Sequence, residues 1–469
     1  MQGSGRQVVF DTPIPVWYTE SNDPKETCLE GQLRIPRLLT VGLSLIGLAI
    51  IVATSYAALN VDRRLIRHAS VSPDSISPNA DGDRDVTRIE YRLARNALVS
   101  IYFTQDGGQP YYFRREQRRS AGEYSVYFSG VVEGFVLPND NIEGRVDARI
   151  LPDGRYSWVI EATDANGLVE KATGVLTVRG GDTVLPDIQG LSVNPPVFTP
   201  NQDGISDRVS IVLYIPKAAT VRVHLEGEDG VKYSISERER GVPPGQAGIH
   251  EFDYEGGVDL GVTPPPDGDY HIWAVTEDDE GQRVTNTIPV RLEYGGVPRA
   301  DIVRADVDWS AKTVVLCDTL YFTLTVENYG NAPIRTTGPE PGTVYDSDWN
   351  YNTLGWHVES GAWRIAVGFD NQLSDYPYRW ALGQQADLVR IGDHWYLAEG
   401  RRAMVTGAIR LVNLPARNPS YYWVGLIHED VAIAEFNNRV DPLFLTIGAA
   451  DMTNPPTCTE REVPARAAR

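Results

Sequence analysis

Apolar and polar residues alternate with a period of two along most of this chain. Ile89, Tyr91 and Leu93 alternate with Arg88, Glu90 and Arg92, and Val99, Ile101 and Phe103 continue the pattern. Val209, Ile211, Leu213 and Ile215 alternate with Ser210, Val212 and Tyr214, and Val221, Val223 and Leu225 follow. Further on, Leu320, Phe322, Leu324 and Val326 alternate with Tyr321, Thr323, Thr325 and Glu327, as Trp363, Ile365 and Val367 do with Arg364 and Ala366. Successive side chains of a strand point to opposite faces, so each run predicts a strand with one buried face. With 43 Gly and 31 Pro to turn the chain between short strands, the expected fold class is all-β.

One segment breaks the pattern. Residues 38–59 run 22 positions without a charge, which as a helix spans about 33 Å and crosses a hydrocarbon core of about 30 Å. The reading is a single uncleaved transmembrane helix, since a leader of 37 residues and so long an apolar run argue against a cleavable signal peptide. Arg34 and Arg37 precede it while Arg63, Arg64 and Arg67 follow, so charge does not set its orientation. Ala49, Ala53 and Ala57 recur every four residues as a ridge on which another helix can pack, pointing to an oligomer or a complex subunit. Residues 1–37 read as an unstructured cytoplasmic tail with a contact around Val16, Trp17 and Tyr18.

Past this segment the chain repeats itself. Pro78-Asn79-Ala80-Asp81-Gly82-Asp83-Arg84-Asp85 recurs 122 residues later as Pro200-Asn201-Gln202-Asp203-Gly204-Ile205-Ser206-Asp207. Each copy closes on a second motif, Pro152-Asp153-Gly154-Arg155-Tyr156 and Pro266-Asp267-Gly268-Asp269-Tyr270, now offset by 114. The eight-residue difference is assigned to 131–149 in the first copy. Tyr156 and Tyr270 suit tyrosine corners, hydroxyl to backbone, and Trp158 and Trp273 suit core.

These copies resemble the Ig-like domain of the flagellar hook-capping (FlgD-like) family over about 70–294, through the acidic loop, the Ala121-Gly122 and Ala247-Gly248 pairs, and the Pro-Asp-Gly-x-Tyr turn. The family's Trp before its Asp-Gly turn is Phe128 and Tyr254 here. The resemblance implies extracytoplasmic β-sandwich spacers, at 70–182 and 183–297, and not hook assembly.

Asn79, Asp81, Asp83 and Asp85 place oxygens at alternate positions, as do Asn201, Asp203 and Asp207, where Ile205 replaces one ligand. Such a set suits Ca2+, which takes six to eight oxygens at about 2.3–2.6 Å. The other reading is an Asx turn in which these side chains satisfy local amides. The second copy carries 19 acidic against 8 basic residues over 184–297, a repulsion that a cation would relieve.

From Arg299 a different module begins. Thr323-x-x-Val326-x-Asn328-x-Gly330 and Glu435-x-Asn437-Asn438 resemble the cell-adhesion-related domain found in bacteria (CARDB), over about 299–449, with a tail at 450–469. An insertion at 338–430 carries Trp349, Trp356, Trp363, Trp380, Trp395 and Trp423. Trp349, Trp356, Trp380 and Trp395 are the candidates for contact with a glycan or protein partner, and a second core is the alternative. Together the resemblances imply three tandem Ig-like β-sandwich domains after one N-terminal transmembrane helix.

Charge and cysteine content narrow the function. The 469 residues hold 43 Lys and Arg against 63 Asp and Glu, a net charge of -20 with no basic footprint for nucleic acid, so none is expected as a partner. Cys317 and Cys458 lie beyond the apolar segment and suit a disulfide in an oxidising exterior, with Cys28 left on the reducing side. The seven His form no His-Glu-x-x-His, and neither Cys-x-x-Cys, Gly-x-Ser-x-Gly nor a phosphate-cradling loop occurs, so no enzyme is expected. The expected function is a cell-membrane protein of the bacterial envelope with a structural, adhesive or scaffolding role. A glycan-binding accessory protein or a subunit of a membrane complex is the alternative.

Overall fold

The structure, a computed structural model, describes residues 37–59, 64–239, 241–370 and 372–464. The tail expected at 1–37, with its contact at Val16, Trp17 and Tyr18 and with Cys28, lies outside the described residues but for Arg37. The chain divides into two units, Met1–Arg64 and Leu65–Arg469.

In the first unit a helix runs Arg37–Leu59. Leu45, Ile46, Leu48, Ile50, Ile51 and Val52 are each 57–62% exposed on it. Ala49 and Ala53 are exposed, while the side chain of Ala57 lies outside the described residues. Several side chains at both ends of this helix are likewise outside, and among the described residues no helix is long and apolar enough to cross a membrane.

The second unit is built of strands in paired sheets around three main cores. In the first module, Ile66–Ser72, Thr87–Leu93 and Gly122–Phe128 form a three-stranded sheet. It faces a sheet of Ser75–Ile76, Val169–Val178, Gly154–Asp164, Ala97–Thr104 and Tyr111–Arg119, in that spatial order. Ile89, Leu93, Val99, Ile101, Phe103, Phe128 and Ile160 fill the space between. The alternation foretells which residues turn inward, since Thr87, Ile89, Tyr91 and Leu93 are buried in turn. The core begins at Leu65, five residues before the expected boundary.

The second module repeats this plan. Gln189–Asn194, Val209–Ile215 and Gly248–Tyr254 pair as one sheet, and Lys232–Ile235, Thr220–Gly227, Gly268–Glu277 and Arg283–Leu292 form the other. The two acidic loops share one backbone: φ is 57° at Ala80 and Gln202, 89° and 81° at Gly82 and Gly204, and 58° and 53° at Arg84 and Ser206. Gly at the middle position accepts a left-handed φ without a Cβ clash. Tyr156 donates to Pro152 O at 2.8 Å and Tyr270 to Pro266 O at 2.7 Å. Asp153 accepts the amides of Gly180 and Gly181, and Asp267 those of Tyr294 and Gly295, so each turn ties down the end of its own module.

The extra length at 131–149 splints the first junction. Val131–Glu133 and Arg145–Ile150 form a hairpin that leaves the first module and pairs antiparallel with Arg283–Leu292, extending the second module's sheet. Val146, Val284 and Leu185 make a small core beneath it. Gln282 spans the join, donating to Asp182 O and Val184 O and accepting the amide of Ile150. Edge pairing satisfies backbone groups that would otherwise stay open at the sheet's margin.

In the third module Ala300–Ile302, Thr319–Asn328, Arg402–Arg410 and Val344–Asp346 form one sheet. The facing sheet orders Thr313–Val315, Val440–Gly448, Ser420–His428, Trp363–Phe369, Ile334–Thr336, His394–Leu397 and Val389–Ile391. Trp363–Phe369 and Ser420–His428 are buried on both faces, because a second small core of Ala366, Tyr376, Trp423 and Ile427 covers the outer side.

Candidate functional site

The second acidic loop is seated against the third module, and that junction holds the densest set of buried polar groups around either loop. Thr199 and Ser206 close the loop with a 2.8 Å backbone hydrogen bond. Inside it Asn201 and Asp207 accept the amide of Asp203, Asp207 also accepts that of Gly204, and Asp203 Oδ1 accepts that of Ile205. These Asx turns leave the loop's outward carbonyls and one carboxylate oxygen to be satisfied from elsewhere.

The third module supplies the partners. Tyr396 on the strand His394–Leu397 donates to Asp203 Oδ2 at 2.8 Å. Arg335, 5% exposed in Ile334–Thr336, donates Nε to Asp203 O at 2.7 Å and Nη2 to Ser360 O at 2.5 Å. His428 donates Nε2 to Gln202 O at 2.7 Å while its ring stacks on Trp363 at 4.3 Å. Gly204 and Gly361 let the backbones meet: a Cβ on Gly361 would stand 2.1 Å from Asp203 C, and one on Gly204 2.0 Å from Ser360 O.

Burial sets the protonation of this junction. Desolvation, then the charge of Asp203, pushes the Asp207 carboxyl up to about 6. Burial also raises Asp203, against hydrogen bonds from Tyr396 and Ile205 that favour its ionised form. The His428 imidazole is pushed down to about 4, chiefly by desolvation, and stays neutral. Burial and the Asp203 charge hold the Tyr396 hydroxyl above the usual phenol range, keeping it a donor.

Behind the junction Glu429, 2% exposed, accepts Arg364 Nη1 and Arg379 Nη1, each at 2.8 Å, and the amide of Glu359 at 2.7 Å. Arg364 is fully buried and desolvation draws its pKa down. A cleft of about 180 Å³ lined by Thr199, Ile205, Tyr294, Ile391 and His394 opens on one side of the loop. A wider one of about 700 Å³, lined by Gln202, Asp207, Arg208, Asp259 and Asp430, opens on the other. The arrangement clamps backbone and a carboxylate of the loop.

The residues singled out in the sequence fall in different places. In the first loop Asp81 and Asp83 are exposed, with Asn79 and Asp85 half-buried. Asp85 accepts the amides of Asn79 and Gly82, Asp81 that of Asp83, and Asn79 that of Asp81. In the second, Asn201, Asp203 and Asp207 are spent on amides and on Tyr396. Among the described residues no group of three or more His, Cys, Asp or Glu stands where it could hold a metal ion. Both loops close Asx turns on their own amides.

Trp380 is fully buried and Trp356 6% exposed, both within the third module's main core, which leaves no open ring face for a sugar. Trp349 and Trp395 are partly buried against the same core. Arg461 of the tail lies over Trp349 at 5.8 Å and pairs with Asp346 at 3.3 Å. Cys317 and Cys458 are bonded, with Cα atoms 5.3 Å apart, which fastens the tail to the module. Tyr396 stands among the aromatics of the 338–430 stretch and His428 among the seven His, neither marked out for this junction, and Arg335 carries no local signal.

No known family matches the chain, and no curated protein does. Among solved structures it is similar to a Ca2+-stabilized adhesin that helps an Antarctic bacterium reach out and bind ice, at 14% identity and a TM-score of 0.21, over 82% of this chain and 73% of that one. Native alpha-2-macroglobulin of E. coli gives 13% identity and 0.17 over 83% of this chain, which spans 23% of that protein. A DUF4785 family protein of Legionella pneumophila gives 8% and 0.22, over 81% of this chain and 84% of that one. None of the three is a hook-capping or CARDB protein, and likenesses at such TM-scores carry no argument about function.

Proposed function

We propose that the chain is a single-pass protein of the bacterial cell membrane whose Ig-like modules form an extracytoplasmic arm with a structural, adhesive or scaffolding role, holding the third module as its presenting end. The observation that carries this reading is the way the modules are joined. A hairpin of the first extends the sheet of the second, and a loop of the second is clamped by buried Arg335, Tyr396 and His428 of the third. Flexible linkers suffice to string independent binding domains together. Two built junctions suit a part that must transmit position or load.

Two further observations support the location. The helix Arg37–Leu59 exposes Leu45, Ile46, Ile50 and Ile51, an apolar surface that needs lipid or another helix to cover it. The Cys317–Cys458 bond suits an oxidising exterior. The family resemblances to hook-capping Ig-like and CARDB modules agree with such a place. The test is protease added to intact cells. The arm is cleaved while a cytoplasmic marker survives; protection of the arm until the membrane is breached would reverse the topology.

A further inference from the structure

The two repeats differ at one flank. In the second module the strand Lys232–Ile235 pairs with Thr220–Gly227, and the chain then crosses to the opposite sheet, where Glu237 bridges to Phe252. Arg238 continues this crossing, its amide donating to Glu251 O at 2.8 Å. The gap between the sheets is thereby closed by a carboxylate: Glu237 bonds Nδ1 of the buried His250, whose Nε2 donates to Gln246 O at 2.8 Å.

In the first module the strand does not cross. Tyr111–Arg119 stays with its own sheet to the end, Arg118 paired with Leu98 and Arg119 with Ala97. Tyr124 takes the place of His250: it faces Tyr91 across the strands as His250 faces Leu213, and donates to Ser120 O at 2.8 Å as His250 does to Gln246 O. Among the described residues no carboxylate lines the space opposite it. A cavity of about 190 Å³ stands in that place, lined by Tyr91, Arg114, Gln117, Arg119, Tyr124 and Ser125 among others. Arg119 Nε is buried there without a hydrogen-bond partner among the described residues. Its Nη2 donates to Gln117 Oε1 at 2.8 Å and its guanidinium lies 5.3 Å from the Tyr124 ring. The strand carries four Arg within six residues, 114–119, in a chain of net charge -20.

We propose that this flank is a binding site for an anionic group, a carboxylate or phosphate carried by a sugar or polyol. The Glu237 carboxylate of the second module is the internal stand-in for that group. Arg119 and Arg114 supply charge-assisted donors, and the hydroxyls of Tyr91, Tyr124 and Ser125 serve a hydroxylated carrier. The site goes beyond the arm's structural role and holds wherever the chain resides.

Calorimetric titration of the full chain tests it, with a galacturonate trisaccharide and glycerol 3-phosphate as the two anionic probes and a neutral galactose trisaccharide as control. At least one anion binds and the neutral sugar does not; which anion binds tells a uronate source from a phosphate one. Arg119→Gln weakens binding about tenfold, the value of one lost charge-assisted hydrogen bond. Gln117→Glu sets an internal carboxylate beside Arg119 and abolishes binding while the thermal midpoint holds or rises, which separates site closure from misfolding. Binding of neither anion at millimolar concentration, equal binding of the neutral sugar, or an equal loss with Arg118→Gln on the exposed outer face would overturn the proposal.

Discussion

Tyr396 donates its hydroxyl to the Asp203 carboxylate at 2.8 Å, although 193 residues separate them in the chain. Asp203 is 4% exposed and would be a costly buried acid without that donor. Tyr396→Phe keeps the ring and removes the bond, and is expected to destabilise the protein by about 1–3 kcal/mol, the cost of an unsatisfied buried group. Urea unfolding measures the loss, and native-state hydrogen exchange should place it at the amides of Gly204 and Gly361.

Gly361 has φ +78°, and a Cβ there would stand 2.1 Å from the backbone of Asp203. Gly361→Ala therefore forces the loop and the third module apart. The expected cost is about 1–3 kcal/mol from overpacking and left-handed strain. Small-angle scattering should show a wider range of module arrangements than in the parent chain.

The junction's pH response is the sum of two opposed titrations. His428 falls from 6.5 to about 4 on folding, so the unfolded chain binds the proton first, and stability is lost as pH falls from 6.5 to 4. Asp207 rises from 3.8 to about 6, so the folded chain binds the proton first, and stability is gained as pH falls from 6 to 3.8. Asp203, also raised, adds to the second effect. In the parent chain the two largely offset. Asp207→Asn leaves the His428 slope opposed by Asp203 alone, so stability falls more steeply between pH 6.5 and 4 than in the parent chain, by at most about 3 kcal/mol at about 1.36 kcal/mol per unit, and His428→Gln exposes a slope of opposite sign. Urea midpoints across that pH range read both.

The Cys317–Cys458 bond closes a separation of 141 residues. Cys458→Ser is expected to lower stability by about 2–4 kcal/mol, as for a long loop freed in the unfolded state. It should also free the tail around Arg461 to proteolysis. Melting with and without reductant gives the first value and limited digestion the second.

Strands, repeats and corners were legible because each leaves a local mark. Alternation placed Ile89, Tyr91 and Leu93 inward, and the matched motifs announced that Tyr156 and Tyr270 would do the same work twice. The surplus at 131–149 was visible as length, yet its use was not, because a hairpin joining another sheet's edge does so through backbone groups that every residue carries. The acidic loops left an Asx turn and an oxygen cage both open, since the same spacing serves each; the structure shows the amides that Asp85 and Asp207 accept. Trp356 and Trp380 were candidates for a partner because an aromatic-rich stretch looks alike whether it lines a groove or fills a core. Arg335, Tyr396 and His428 meet the second loop across more than a hundred residues, and spacing along one chain carries no trace of that meeting.

Two junctions join the three modules, the hairpin pairing and the clamp on the second acidic loop. Pulsed electron resonance between spin labels at Leu98 in the first module and Met404 in the third, both exposed, measures this in a Cys28→Ser background. A single narrow distance distribution that broadens in Gly361→Ala is the expected result; a broad distribution already present in the parent chain would contradict it.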